Sequence, residues 1–149
     1  NMTACGAIRR ASSISTGAGN GGMIYLDTHV LVWAYAGEID RFPASVRTRI
    51  EESDLLISPI VLLELQYLKE IDRLTVEPGV MYENLASTIG LAICDLPLMR
   101  VVTEAMLQAW THDPFDRIIT ATAAARDTHL LTKDESIHAH YAKAFWDKA

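Results

Sequence analysis

Cysteine is scarce in this chain: the two present, Cys5 and Cys94, form neither a disulfide framework nor a metal-ligand spacing and read as reduced thiols of a cytosolic protein. No apolar run approaches the roughly 18 residues that cross a bilayer. Glycine-rich phosphate loops and G-x-S-x-G elbows are missing, which sets aside P-loop nucleotide hydrolysis and serine hydrolase chemistry. The histidines His29, His112, His129, His138 and His140 show no zinc spacing, and His138 and His140, two apart on a helix, face different ways. Basic residues are also short, and the net charge of −6 argues against a protein that holds nucleic acid by bulk positive field. It leaves open a nuclease whose carboxylates are partly neutralised by bound cations.

What is present is a globular composition, half apolar over 149 residues, enough for one domain with a real core. Residues 1–22 stand apart: small, polar, carrying Arg9 and Arg10 and no acid, so that the remainder holds 11 basic against 19 acidic residues, a charge of −8. Their composition resembles a transit peptide and lacks the apolar core of a secretory signal. They read as a disordered leader, an expression remnant or an overlong start, with the folded domain spanning 23–149.

From Met23 onward, short apolar runs alternate with helical patterns. Ile24-Tyr25-Leu26 is a β-prone run ended by Asp27, and Thr28 is placed to cap a helix that Gly37 stops. Pro43 begins a helix through Glu52, with Val46 and Ile50 one turn apart. Leu55 to Ile57 make a strand, and Ser58-Pro59 start a helix to about Arg73 in which Ile60, Glu64, Tyr67, Leu68 and Ile71 share a face. After Pro78-Gly79 come a helix near 80–90, a strand over Leu91–Leu96 and a helix from Pro97 with Leu98, Val101, Val102, Ala105 and Ala109 at core spacing. Residues 113–135, DPFDRIITATAAARDTHLLTKDE, read as helix, turn, strand and acidic pair. A short helix near 136–142 and an edge strand near 144–146 close the pattern. Strands separated by helices imply an α/β fold: a three-layer α/β/α arrangement on a central, mostly parallel sheet.

Four carboxylates occupy positions that solubility does not explain. Asp27 ends the first strand, Glu64 interrupts an apolar helical face, Asp116 lies in the first turn of a helix, and Asp134 follows the last central strand. A parallel sheet brings strand ends and helix starts together at one edge. Carboxylates crowded there repel unless protonated or bridged by a divalent cation, and oxygen ligands suit Mg²⁺ or Mn²⁺, pointing to metal-assisted attack of water on a phosphodiester. Each acid also has a plain structural reading: Asp27 and Asp134 as caps, Asp113 and Asp116 as charges at a helix start, Glu64 as the partner of a lysine. Arg117 and Lys133, beside the acids, are candidates for contacting the backbone of a phosphodiester substrate or simply solvated. Trp33, Tyr35 and Tyr67 read as core or interface residues rather than base-stacking groups.

The segments LDTHVLVW, ISPIVLLEL, HDPFDRIITATAAARDTHLLTKDE and AFWD, in this order, resemble the PIN-domain family, specifically the VapC-type toxin ribonucleases of type II toxin–antitoxin pairs, over about residues 23–147. The resemblance implies that Asp27, Glu64, Asp116 and Asp134 form an acidic Mg²⁺ site with Asp113 close by, and that Thr28 and Ser58 are small hydroxyls near the pocket. It further implies an endoribonuclease, a cytoplasmic homodimer, and inhibition by a small antitoxin. His29 stands where many relatives have Asn, and Thr120 where Ala is common. A metal-dependent phosphatase or phospho-acceptor domain competes, but the phosphatase would want an acid at the place of His29, and phospho-acceptor chemistry leaves Glu64 unexplained. A non-catalytic PIN-like scaffold that binds RNA or a partner, and a DNA nuclease on the same fold, compete as well.

Overall fold

The structure, a computed structural model, describes residues 22–146. Nearly all of the 1–22 segment, including Cys5, lies outside them. Five strands, β1 (Met23–Leu26), β2 (Asp54–Ile57), β3 (Ala92–Ile93), β4 (His129–Leu131) and β5 (Ala144–Phe145), form one sheet in the order β3-β2-β1-β4-β5. Every pairing is parallel, so the sheet is more uniform than "mostly parallel". Central β1 buries Ile24, Tyr25 and Leu26 on both faces, as a sheet covered by helices on each side requires. Each fully buried Ile or Leu in this core contributes about 1.5–3 kcal/mol.

Seven helices connect and flank the strands: α1 (Thr28–Ala36), α2 (Ala44–Glu52), α3 (Ile60–Glu70), α4 (Pro78–Ile89), α5 (Leu98–Ala105), α6 (Pro114–Ala125) and α7 (Glu135–His140), with a 3₁₀ turn at Ile39–Arg41 that the polar link after Gly37 did not signal. Gly37 ends α1 with φ 73°, a left-handed geometry that glycine adopts without steric cost. The cap at the other end is Asp27, whose carboxylate accepts from the Thr28 N–H at 2.8 Å, not Thr28 itself.

Further expectations need correction. On α3 the buried residues are Val61 and Leu65, while Tyr67 and Ile71 are 47% and 43% exposed, so Glu64 flanks the core stripe instead of interrupting it. The α3 helix stops at Glu70 because Asp72 turns left-handed at φ 63°, before Arg73 is reached. Strand β3 keeps only two residues of the expected six; it is an edge strand whose one partner, β2, ends at Ile57, the last bond being Cys94 N–H to Ile57 O at 2.8 Å.

Helix α5 ends at Ala105, short of Ala109, and Leu98 is 72% exposed; the buried residues of α5 are Val101 and Ala105, which cluster with Ala121 of α6. These two helices are locked antiparallel by reciprocal arginines. Arg100, at the start of α5, donates to Ala125 O at the end of α6 at 2.6 Å. Arg117, at the start of α6, donates to Ala105 O at the end of α5 at 2.7 Å. Each guanidinium sits at the negative end of the other helix's dipole, and Ala105 O, which also accepts from the Gln108 N–H at 3.0 Å, is shared between two donors.

Candidate active site

Strands β1 and β4 end at the same level, with Leu26 paired to Leu131 and the Asp27 N–H donating to Leu131 O at 3.0 Å. The chain runs outward from β1 to β2 and β3 and then returns to β4 on β1's other side, so this pair flanks the switch point where open parallel sheets place their ligands. The residues just beyond the two strands are Asp27 and Thr132. Thr132 is fully buried, and its hydroxyl donates to Asp27 Oδ2 at 2.6 Å while accepting from the Asp134 N–H at 3.0 Å. Asp134 in turn caps α7 by accepting from Ile137 N at 3.0 Å.

Two helices complete the site. Glu64, in the second turn of α3, accepts from the buried Thr28 hydroxyl at 2.5 Å. Asp113 caps α6, accepting from Phe115 N and Asp116 N, and this fixes Asp116 in the first turn. Asp27, Glu64, Asp113, Asp116 and Asp134 line one cavity of about 470 Å³ with His29, Val30, Trp33, Lys133 and Glu135. Six carboxylates thus face one lysine, and the chain-distant acids do meet.

Their titration reflects this crowding. Asp27 is 7% exposed, and burial raises its pKa above the usual carboxylate range against the opposing hydrogen bonds from Thr132 and Thr28. Burial also raises Glu64, with Asp27 and Asp113 adding to the shift. Asp116 is pushed up to about 7 by burial and by Asp113, Asp27, Asp134 and Glu64.

Among the described residues no three histidine, cysteine or acidic side chains are gathered into a ready-made ligand cluster; the carboxylates are spread around the cavity wall. A lining whose anionic donors are all carboxylate oxygens, with His29 the one imidazole, fits a hard divalent cation that keeps part of its hydration shell better than Zn²⁺.

Other expected residues lie elsewhere. Ser58 is buried but lines a separate apolar groove with Pro59, Ile60, Leu63, Leu98 and Val101, and its hydroxyl accepts from Ile60 N at 3.3 Å. Arg117 is absent from the cavity wall, its guanidinium bound to Ala105 O and Thr111 O. Thr120, one turn beyond Asp116, is fully buried with a hydroxyl that makes no hydrogen bond. Thr132 escaped sequence reasoning because it extends an apolar strand run; its place two residues before an acid that caps a helix was the available signal.

A parallel α/β sheet with an acidic crevice at its switch point defines the class, and comparison with known proteins agrees. The PIN domain family model matches residues 24–143, and the chain belongs to that family. It is 30% identical over 123 residues to Ribonuclease VapC22 of Mycobacterium tuberculosis, covering 78% of this chain and 91% of the relative, which puts it with the VapC-type members. The fold is shared with the crystal structure of VapBC2 from Rickettsia felis bound to a DNA fragment from their promoter, with a TM-score of 0.59 at 23% identity, over 84% of this chain and all of that one.

Proposed function

We propose that this protein is a divalent-metal-dependent endoribonuclease, the cytoplasmic toxin of a toxin–antitoxin pair, hydrolysing RNA phosphodiester bonds. The observation that carries the reading is the cavity in which Asp27, Glu64, Asp116 and Asp134 converge from four separate elements. The kinship with a protein named as a ribonuclease supports the choice of RNA. Asp27, Glu64 and Asp116 would hold Mg²⁺ or Mn²⁺ directly or through its waters, with Asp134 completing the set or orienting the attacking water. When bound, the cation would offset the carboxylate repulsion, polarise the scissile phosphate and ease deprotonation of water.

The chain's own groups prepare that site. Thr132 and the Thr28 N–H hold the Asp27 carboxylate in one orientation, and the Thr28 hydroxyl does the same for Glu64. Asp113 acts through the helix start that presents Asp116. Lys133, the one lysine on the wall, is placed to meet a phosphate. Exposed Leu63 and Leu98 on the Ser58 groove, with exposed Met99, Met106 and Leu107 on and just after α5, supply apolar surface for the proposed homodimer or for a small antitoxin, a partner class suggested by the VapBC2 complex.

The test is cleavage of a single-stranded RNA, and of the matching DNA, by purified protein with Mg²⁺ or EDTA. Asp27→Asn should lose cleavage while keeping its circular dichroism spectrum. Cutting at the normal rate by that variant, or equal cutting in EDTA, rejects the metal role.

A further inference from the structure

One wall of the acidic cavity is aromatic. Asp27, Val30 and Trp33 recur every three residues from the cap of α1, and this face of the helix opens onto the cavity. The Trp33 indole is held from behind: Trp146 meets it edge-on with centroids 6.0 Å apart, and Trp146 rests at 5.7 Å on Phe42, which is buried. The Arg41 guanidinium lies 4.9 Å over the same indole, and the exposed His29 ring is 6.4 Å away at 49°. Trp33 packs in part against the core and leaves the rest of its ring on the wall of the cavity lined by six carboxylates.

We infer that Trp33 is a stacking wall for one unpaired base next to the scissile phosphate, so that the site selects single-stranded or extruded nucleotides over paired ones. The inference rests on the ribonuclease reading above and names the part of the substrate that the carboxylates cannot recognise. An anionic cavity repels the RNA backbone, and Lys133 alone offsets little of that repulsion. Base–aromatic stacking supplies affinity that does not depend on charge and tolerates any base. It also requires a free base face, which a duplex keeps covered by neighbouring base pairs. The Arg41 guanidinium makes a cation–π contact with the indole, and Trp146, itself seated on Phe42, helps fix the ring before substrate arrives, limiting the ordering cost of binding.

The test uses full-length Asp27→Asn protein in EDTA and a labelled single-stranded RNA oligonucleotide, with binding read by fluorescence anisotropy and an abasic ribose moved through each position. One position should weaken binding about 5- to 50-fold when its base is removed. Adding Trp33→Leu should weaken the intact oligonucleotide by a similar factor and erase the abasic penalty, whereas Trp33→Phe should keep most of it. A penalty unchanged by Trp33→Leu, or no penalty at any position with Trp33 intact, overturns the inference. Wild-type cleavage with Mg²⁺ reads the nuclease assignment separately. Cleavage without a Trp33-dependent penalty leaves the nuclease and removes the stacking wall; the reverse result keeps the wall and removes the nuclease.

Discussion

The Thr132 hydroxyl donates to Asp27 Oδ2 at 2.6 Å, joining the ends of two neighbouring strands whose residues lie 105 positions apart in the chain. Both groups are buried, so water cannot replace the bond. Thr132→Val keeps the shape and removes the donor to a carboxylate that burial already raises, and it also strips the Asp134 N–H of its acceptor. The loss expected in chemical denaturation is about 1.5–3 kcal/mol, the range for a hydrogen bond to a charged group. Thr132→Ser should recover most of it, together with the cleavage lost in the valine variant. Equal stability of the valine variant and the parent would show that Asp27 does not depend on this hydroxyl.

Burial, and then the four acids around it, push Asp116 up to about 7, so its charge is unwelcome in the cation-free fold. Asp116→Asn removes that charge in a side chain of the same size. The variant should melt at a higher temperature than the parent in EDTA and should cut RNA far more slowly in Mg²⁺. Such opposed effects mark a residue kept for chemistry at the expense of stability. A lower melting temperature together with full cleavage would reverse both assignments.

Much of this was legible because strand ends and helix starts announce themselves locally. Asp27 after an apolar triplet, Asp113-Pro114 before an alanine-rich helix, and Asp134 after Leu130-Leu131-Thr132 each carry a positional signal, and α/β alternation brings such ends to one edge. Helix faces were harder. On α3 the first four positions are all apolar and apolar residues recur on every side, so periodicity could not separate the buried Val61 and Leu65 from the half-exposed Tyr67 or from Ile71 just past its end. Reach was hardest of all: whether Arg117 turns to substrate or to the end of α5 depends on how two helices pack, a tertiary fact with no local mark. Trp33 reads as a core residue for the same reason, since its neighbours Arg41 and Trp146 come from other segments.

The acid shifts also set the pH response. Asp116 titrates at 3.8 in an unperturbed chain and near 7 in the fold, so the folded state holds its proton more tightly. That proton contributes stability that is present below about pH 4 and is lost as pH rises through the folded value. Asp27 and Glu64, both raised, act in the same direction. In EDTA the melting temperature should therefore fall from about pH 5 to about pH 8 relative to a variant carrying Asp116→Asn. Mg²⁺ or Mn²⁺, binding the ionised carboxylates, should raise it most at the upper end. Parallel profiles with EDTA and with cation would mean that the cavity does not bind the ion.

The two basic residues beside the acids should separate by assay. Arg117 donates to the carbonyl ending α5, which the Gln108 N–H also reaches, and to Thr111 O, and it is not on the cavity wall, so Arg117→Ala should cost about 1.5–3 kcal/mol of stability through lost charge-assisted bonds and helix locking. At a temperature where the variant remains folded, its KM for RNA should be close to that of the parent. Lys133 is exposed on the cavity wall and makes no ion pair among those found in the described residues, so Lys133→Ala should change stability by less than about 0.5 kcal/mol. Its effect should appear in substrate binding, as a raised KM and a shallower dependence on salt, because one phosphate contact fewer releases one counterion fewer. An exchange of these outcomes, with Arg117 governing salt dependence and Lys133 governing stability, would require the start of α6 to turn its arginine toward the substrate.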